Sequence, residues 1–261
     1  MTIIHTIILG IVEGISEFLP ISSTGHLILT SEILKIAQSD FTKSFEIIIQ
    51  FGAIFSVIFL YWKKFWNLEL IKRLIVAFIP TGIIGLALYK IVKTYLIGNE
   101  SVVLWSLFLG GIILIIFELY HRGEEEKNEE ILGDEITKIT YKKSFIIGLF
   151  QSIAIIPGVS RSASTIVGGL WLGLKRTTIV EFSFLLAVPT MLAATGLDLV
   201  KNASSFSSSD FSSLAIGFVV SFVVALFAIK FFLKFIKTHD FIPFGVYRII
   251  VAILFWILIF H

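Results

Sequence analysis

The sequence predicts an all-α polytopic integral membrane protein, an inverted repeat of two halves, each one re-entrant helix hairpin plus three transmembrane helices. Three observations predict it. Of the 261 residues, 56% are hydrophobic and only 15% charged, and the mean hydropathy is +0.95. Apolar segments of about 20 residues, the length that crosses the hydrocarbon core as helix, recur along the chain, without the alternation of barrel strands. The third is an internal echo: GIVEGISEFLPISSTGH, Gly10 to His26, returns as GLFQSIAIIPGVSRSAST, Gly148 to Thr165. In each, an apolar half-helix and a proline precede a hydroxyl-rich turn and a second half-helix.

Composition also excludes some chemistry. The chain has no cysteine, which removes disulfides, thiolate metal sites and cysteine nucleophiles. A net charge of +2, gathered in loops, indicates topology rather than nucleic-acid binding. The first residues lack a basic leader region and a small-residue cleavage site and already carry Glu13, so they are expected to belong to the mature fold.

The first element runs from Thr2 to Leu19 with helical patterning, interrupted by Glu13 and Glu17 and stopped by Pro20. A second apolar stretch extends from His26 to about Ile36. Neither is long enough to cross alone, so the polar turn between them falls near the midplane. Irregular backbone at that depth is tolerated only when buried in protein or lining a cavity. Spans are expected at about residues 44–62, 71–92 and 101–121. Glu46 and Gln50 share a face of the first of these, and Pro80, Gly82, Gly85, Gly110 and Gly111 permit kinks and close packing. Residues 122–143, with the acidic run Glu124, Glu125, Glu126, Glu129 and Glu130, read as a solvated linker between halves 1–121 and 144–261 of one membrane domain. After the second hairpin, further spans are expected at about 177–199, 214–236 and 241–260.

A hairpin returns to its own side and three spans do not, so the second half must lie upside down relative to the first. Such architectures place their site at the repeat interface near the midplane, with the N-termini of broken helices facing anionic groups. The helices after Pro20 and Pro157 both qualify, and phosphate is a usual occupant of such ends. Lysine and arginine crowd the loops on the linker side, among them Lys63, Lys64, Lys72, Arg73, Lys142, Lys143, Lys175 and Arg176. The positive-inside rule then makes the linker cytoplasmic and both termini external.

The candidate chemistry lies in the two hairpins. Glu13 and Glu17 are carboxylates one helical turn apart in an apolar run, and an ionisable group at membrane depth signals function. They suit a hard divalent cation bound through oxygen, or the proton relay of a transporter. Ser23 and His26 are three apart, and a histidine can serve a serine as general base or act as nucleophile itself. Arg161 carries a planar fork that suits phosphate, and an ion pair with Glu13, Glu17 or Glu46 is its alternative partner. The hydroxyls of Ser22, Thr24, Ser160, Ser162 and Thr165 are helix caps or donors to an anion.

Four motifs, EGISEFLPISSTGH at Glu13, FEIIIQFGA at Phe45, PGVSRSAST at Pro157 and FSFLLAVP at Phe182, together resemble the undecaprenyl-diphosphate phosphatase family, known for bacitracin resistance. The segment PFGVYR at Pro243 is similar to that family's closing segment, and the resemblance covers nearly the whole chain. It implies hydrolysis of a long polyprenyl diphosphate to the lipid monophosphate that carries cell-wall precursors. It also implies Mg2+ or Ca2+ dependence, a bacterial plasma-membrane location and a site open to the outer face; a homodimer is compatible with it. Carried over, Glu13 and Glu17 become the metal-associated residues, Glu17 also acting in catalysis. Ser23 and His26 become the catalytic pair, with Ser23 the favoured nucleophile, and Arg161 the phosphate clamp. Ser160, Ser162, Thr165, Ser22 and Thr24 support the substrate. The rival reading is a polyprenyl-phosphate carrier that moves lipid without hydrolysis, because inverted repeats and membrane carboxylates are also transporter features.

Overall fold

The computed structural model describes residues 1–37, 39–96, 99–125, 136–202 and 211–260. Ten α-helices occupy these residues: α1 (Ile3–Ser16), α2 (Ser23–Ile33), α3 (Asp40–Tyr61), α4 (Leu68–Ile91), α5 (Glu100–Glu125), α6 (Tyr141–Ser152), α7 (Arg161–Trp171), α8 (Arg176–Asn202), α9 (Phe211–Phe235) and α10 (Ile242–Phe260). Polar residues start many of them. Thr2, Ser22, Ser39, Asn67, Thr140 and Ser160 each accept from a backbone N–H two or three residues on, satisfying a donor that the first turn leaves open.

Both short leading helices end where a proline dictates. A proline ring collides with the carbonyl four residues earlier. Pro20 therefore ends α1 at Ser16, three residues before the Leu19 boundary expected from patterning, and Pro157 ends α6 at Ser152, followed by a 3₁₀ turn over Ile153–Ile155. The central linker is shorter than expected at its start, because α5 continues to Glu125; residues 126–135, with Glu126, Glu129 and Glu130, lie outside the described residues.

Among the described residues, five helical segments are long and apolar enough to cross a membrane: Phe41–Tyr61, Leu68–Ile91, Glu100–His121, Arg176–Gly196 and Phe211–Phe235. The last helix is apolar over the shorter stretch Ile242–Leu258. The chain is thus a multi-pass helical membrane protein. Its helices meet in exchanged pairs: α1 packs on α9 and α6 on α4, while α3 meets α8 and α5 meets α10. Small residues permit this closeness, as expected where lipid removes the usual hydrophobic drive. At Gly148 in α6, a Cβ would lie 1.9 Å from the Ala77 carbonyl oxygen of α4. An aromatic core joins the layers: Phe18, just after α1, meets Phe184 of α8 edge-on at 5.2 Å, and Phe184 leads on to Phe232 at 6.0 Å.

Candidate active site

The packing brings the first turn, residues 17–22, against the head of α7, which follows the second turn, residues 153–160. At the heads of the following helices, Ser22 and Ser160 hold φ of 74° and 77°, a region that residues with a side chain seldom adopt. Each accepts from an N–H three residues on, Gly25 at 3.3 Å and Ala163 at 3.2 Å. Strain of this kind persists only when its surroundings enforce it, and it gathers at functional sites. Ser162 Oγ donates to the Phe18 carbonyl at 2.8 Å and ties the head of α7 to the first turn.

Glu17 and Arg161 meet at this junction. Arg161 Nη2 donates to Glu17 Oε1 at 3.0 Å, and Ser23 Oγ donates to Glu17 Oε2 at 2.5 Å. The ion pair is buried, the side chains being 9% and 2% exposed, so neither charge can exchange its partner for water without a large cost. Arg161 Nη1 also donates to the Ser183 carbonyl at 2.8 Å. Thr165 Oγ1 lies 3.0 Å from the carbonyls of Arg161 and Ser162, which only accept, so the Ser183 hydroxyl 2.6 Å away donates to Thr165. Ser162 and Thr165 are fully buried behind Arg161, where they hold it rather than line a cavity.

Glu13 is fully buried, and among the described residues neither carboxyl oxygen has a hydrogen-bond partner. Its charged surroundings are Glu17, Glu46 and Arg161. A carboxylate in this position calls for a proton or a hard cation, which takes oxygen ligands. Glu13 and Glu17 therefore fit a divalent ion. No group of three or more potential ligating side chains (His, Cys, Asp, Glu) occurs among the described residues.

The expected Ser23–His26 pair is arranged differently. His26 Nδ1 lies 2.8 Å from the Ser22 carbonyl and must donate to it, leaving Nε2 to accept from the Tyr247 hydroxyl at 2.9 Å. The His26 and Tyr247 rings stack at 5.5 Å. The group bonded to the Ser23 hydroxyl is Glu17, not His26.

A cavity of about 670 Å³ opens from this junction. Glu17, Ser22, Ser23, Thr24, Ser160 and Arg161 form its polar end. Its walls are apolar and come from α4 (Phe78, Ile83, Leu86), the second turn (Ile155, Ile156) and α8 (Met191). Ile83 and Leu86 are exposed, so the cavity runs out sideways onto the apolar surface.

Tyr247 and Arg248 acquire roles that the sequence reading did not give them. Arg248 is fully buried in α10. The usable signal was an arginine inside a 19-residue apolar helix, the criterion that singled out Arg161. Ion pairs also close the ends of spans: Lys64 with Glu181, and Arg176 with the buried Glu118.

Comparison with known proteins identifies the family. The sequence matches the family described as bacitracin resistance protein BacA over residues 6–254. It is 55% identical over 257 residues to the undecaprenyl-diphosphatase of Sulfurihydrogenibium sp. (98% of this chain, 99% of that protein). The undecaprenyl-diphosphatase of Aquifex aeolicus is 54% identical over 256 residues, covering 98% of each chain, and that of Persephonella marina 52% over 256 residues, again 98% of each. With a match across nearly its whole length and the two hairpin motifs meeting in one buried site, this chain belongs to the bacitracin resistance protein BacA family.

Proposed function

We propose that this protein is a membrane phosphatase that hydrolyses undecaprenyl or a similar long polyprenyl diphosphate to the monophosphate and inorganic phosphate, recycling the lipid carrier of cell-wall synthesis and so conferring bacitracin resistance. The observation that carries the reading is the cavity that joins Glu17, Ser23 and Arg161 to an apolar channel between α4 and α8. A charged head and a hydrocarbon tail are both accommodated, and the sideways exit allows entry from the bilayer.

In this reading Ser23 Oγ attacks the terminal phosphorus while Glu17 Oε2 takes its proton. The bond from that phosphorus to the bridging oxygen breaks, and the polyprenyl monophosphate departs. Glu17 passes the proton it took to the departing monophosphate; water then attacks the phosphoserine and gives a proton to Glu17, which hands it to Ser23 Oγ as inorganic phosphate leaves. Arg161 and the N-termini of α2 and α7 offset charge as it moves to the leaving oxygen. Glu13 and Glu17 would hold Mg2+ or Ca2+, which when bound neutralises phosphate charge. His26, held by Tyr247, acts at the edge of the site rather than on Ser23.

The exchanged helix pairs support an inverted repeat, with the site between its halves. Positive-inside orientation puts both termini outside and the central linker in the cytoplasm of a bacterial plasma membrane. The cavity then lies along the outer half of α4, which favours an outer-leaflet substrate.

The test is phosphate release by purified protein from a long-chain polyprenyl diphosphate, with Mg2+ or with chelator. Release that chelator abolishes and Mg2+ restores supports the reading. Chelator-insensitive release removes the metal from it, and no release from folded protein leaves the carrier.

A further inference from the structure

Arg248 is a buried charge that this mechanism does not use. All five guanidinium N–H donors end on backbone carbonyls: Nε on Leu107 at 3.3 Å, Nη1 on Pro20 at 3.2 Å and Val159 at 3.0 Å, Nη2 on Ser106 at 2.9 Å and Gly158 at 3.0 Å. One carbonyl belongs to the first turn, two to the second and two to α5, so a side chain of α10 grips both hairpins from behind. The backbone is shaped around it. Gly110 leaves room for the guanidinium, since a Cβ there would lie 2.1 Å from Nη2. Gly158 holds φ of +92° with a Cβ position only 2.7 Å from the Val103 carbonyl oxygen, a place for glycine alone.

We infer that Arg248 is the positioning residue of the site, fixing the turn that carries Glu17 against the turn that leads into Arg161. Arg248 does not line the cavity, so it acts through backbone rather than on substrate. A trans peptide holds N–H antiparallel to C=O, so turning the Val159 carbonyl toward Arg248 turns the Ser160 N–H away from it. Lysine cannot replace it, because an ammonium has three donors and no planar fork. The clamp also opposes any rocking of one hairpin past the other.

The inference rests on the phosphatase reading for its kinetic test, and a distance measurement tests it independently. In Arg248→Lys, kcat should fall about 100-fold, the cost of roughly an ångström of misplacement, with KM within about threefold. Gly110→Ala, which displaces the guanidinium without removing it, should do the same, and the double variant should be no worse than Arg248→Lys. Two variants with wild-type kcat, or a raised KM at unchanged kcat, would overturn the inference.

The chain has no native cysteine, so spin labels at Ile33→Cys and Trp171→Cys, exposed sites at the ends of α2 and α7, report the hairpin separation. One narrow distance distribution is expected without Arg248→Lys and a broadened one with it. Two separations in the labelled protein with Arg248 intact would overturn the clamp, whether or not the protein releases phosphate.

Discussion

Glu17→Gln probes the chemistry with the least change of shape. Glu17 receives a hydrogen bond on each carboxyl oxygen, from Arg161 at 3.0 Å and Ser23 at 2.5 Å. An amide in its place has one oxygen and one nitrogen. Arg161 has only donors, so the amide oxygen must face it and the NH2 must face Ser23. The Ser23 hydroxyl then becomes an acceptor, and its proton has no base to receive it. Loss of a general base costs about 10²- to 10⁴-fold in rate, so kcat should fall by that range. KM should change little, since Arg161 stays in place. The cost to stability should not exceed the roughly 3–5 kcal/mol of a broken buried ion pair, because the amide oxygen still accepts from the guanidinium. The assay is steady-state phosphate release from a polyprenyl diphosphate in detergent, with thermal unfolding as the control for folding. A folded Glu17→Gln protein with kcat within about threefold of wild type would refute proton transfer from Ser23 to Glu17.

Three further outcomes are expected. Ser162→Ala strands the buried Phe18 carbonyl and should lower stability by about 1–3 kcal/mol, read by thermal unfolding; an unchanged melting temperature would show that the bond between the first turn and α7 contributes nothing. Gly148→Ala drives a methyl group into the Ala77 carbonyl and should cost about 1–3 kcal/mol by forcing α4 and α6 apart, whereas full stability would mean that the contact yields freely. With the proposed orientation, a membrane-impermeant maleimide added to intact cells should label Tyr95→Cys and spare Trp66→Cys, both exposed positions. The reverse pattern would invert the topology.

Much of the fold was legible because the signals are local. Apolar runs near 20 residues gave the spans, and the ends of α1 and α6 follow from Pro20 and Pro157. The meeting of Glu17 with Arg161 was legible as a demand: a buried guanidinium needs an anion, and three carboxylates in the first half could supply it. Which one does so depends on how the hairpins pack, a matter of contacts 144 residues apart in sequence. The same holds for His26. Spacing puts it one turn from Ser23, yet its ring turns to Tyr247, 221 residues away, because the Ser22 carbonyl takes its Nδ1 proton. Arg248 was legible only as an arginine inside an apolar helix; the five backbone carbonyls that hold it leave no mark in a sequence.

Phosphate release from a long-chain polyprenyl diphosphate with Mg2+, by wild-type protein and by Arg161→Ala, tests the central claim most directly. The account predicts steady release by the wild type and none above background from a folded Arg161→Ala protein. Equal release by both would show that the chemistry does not occur where the two hairpins meet.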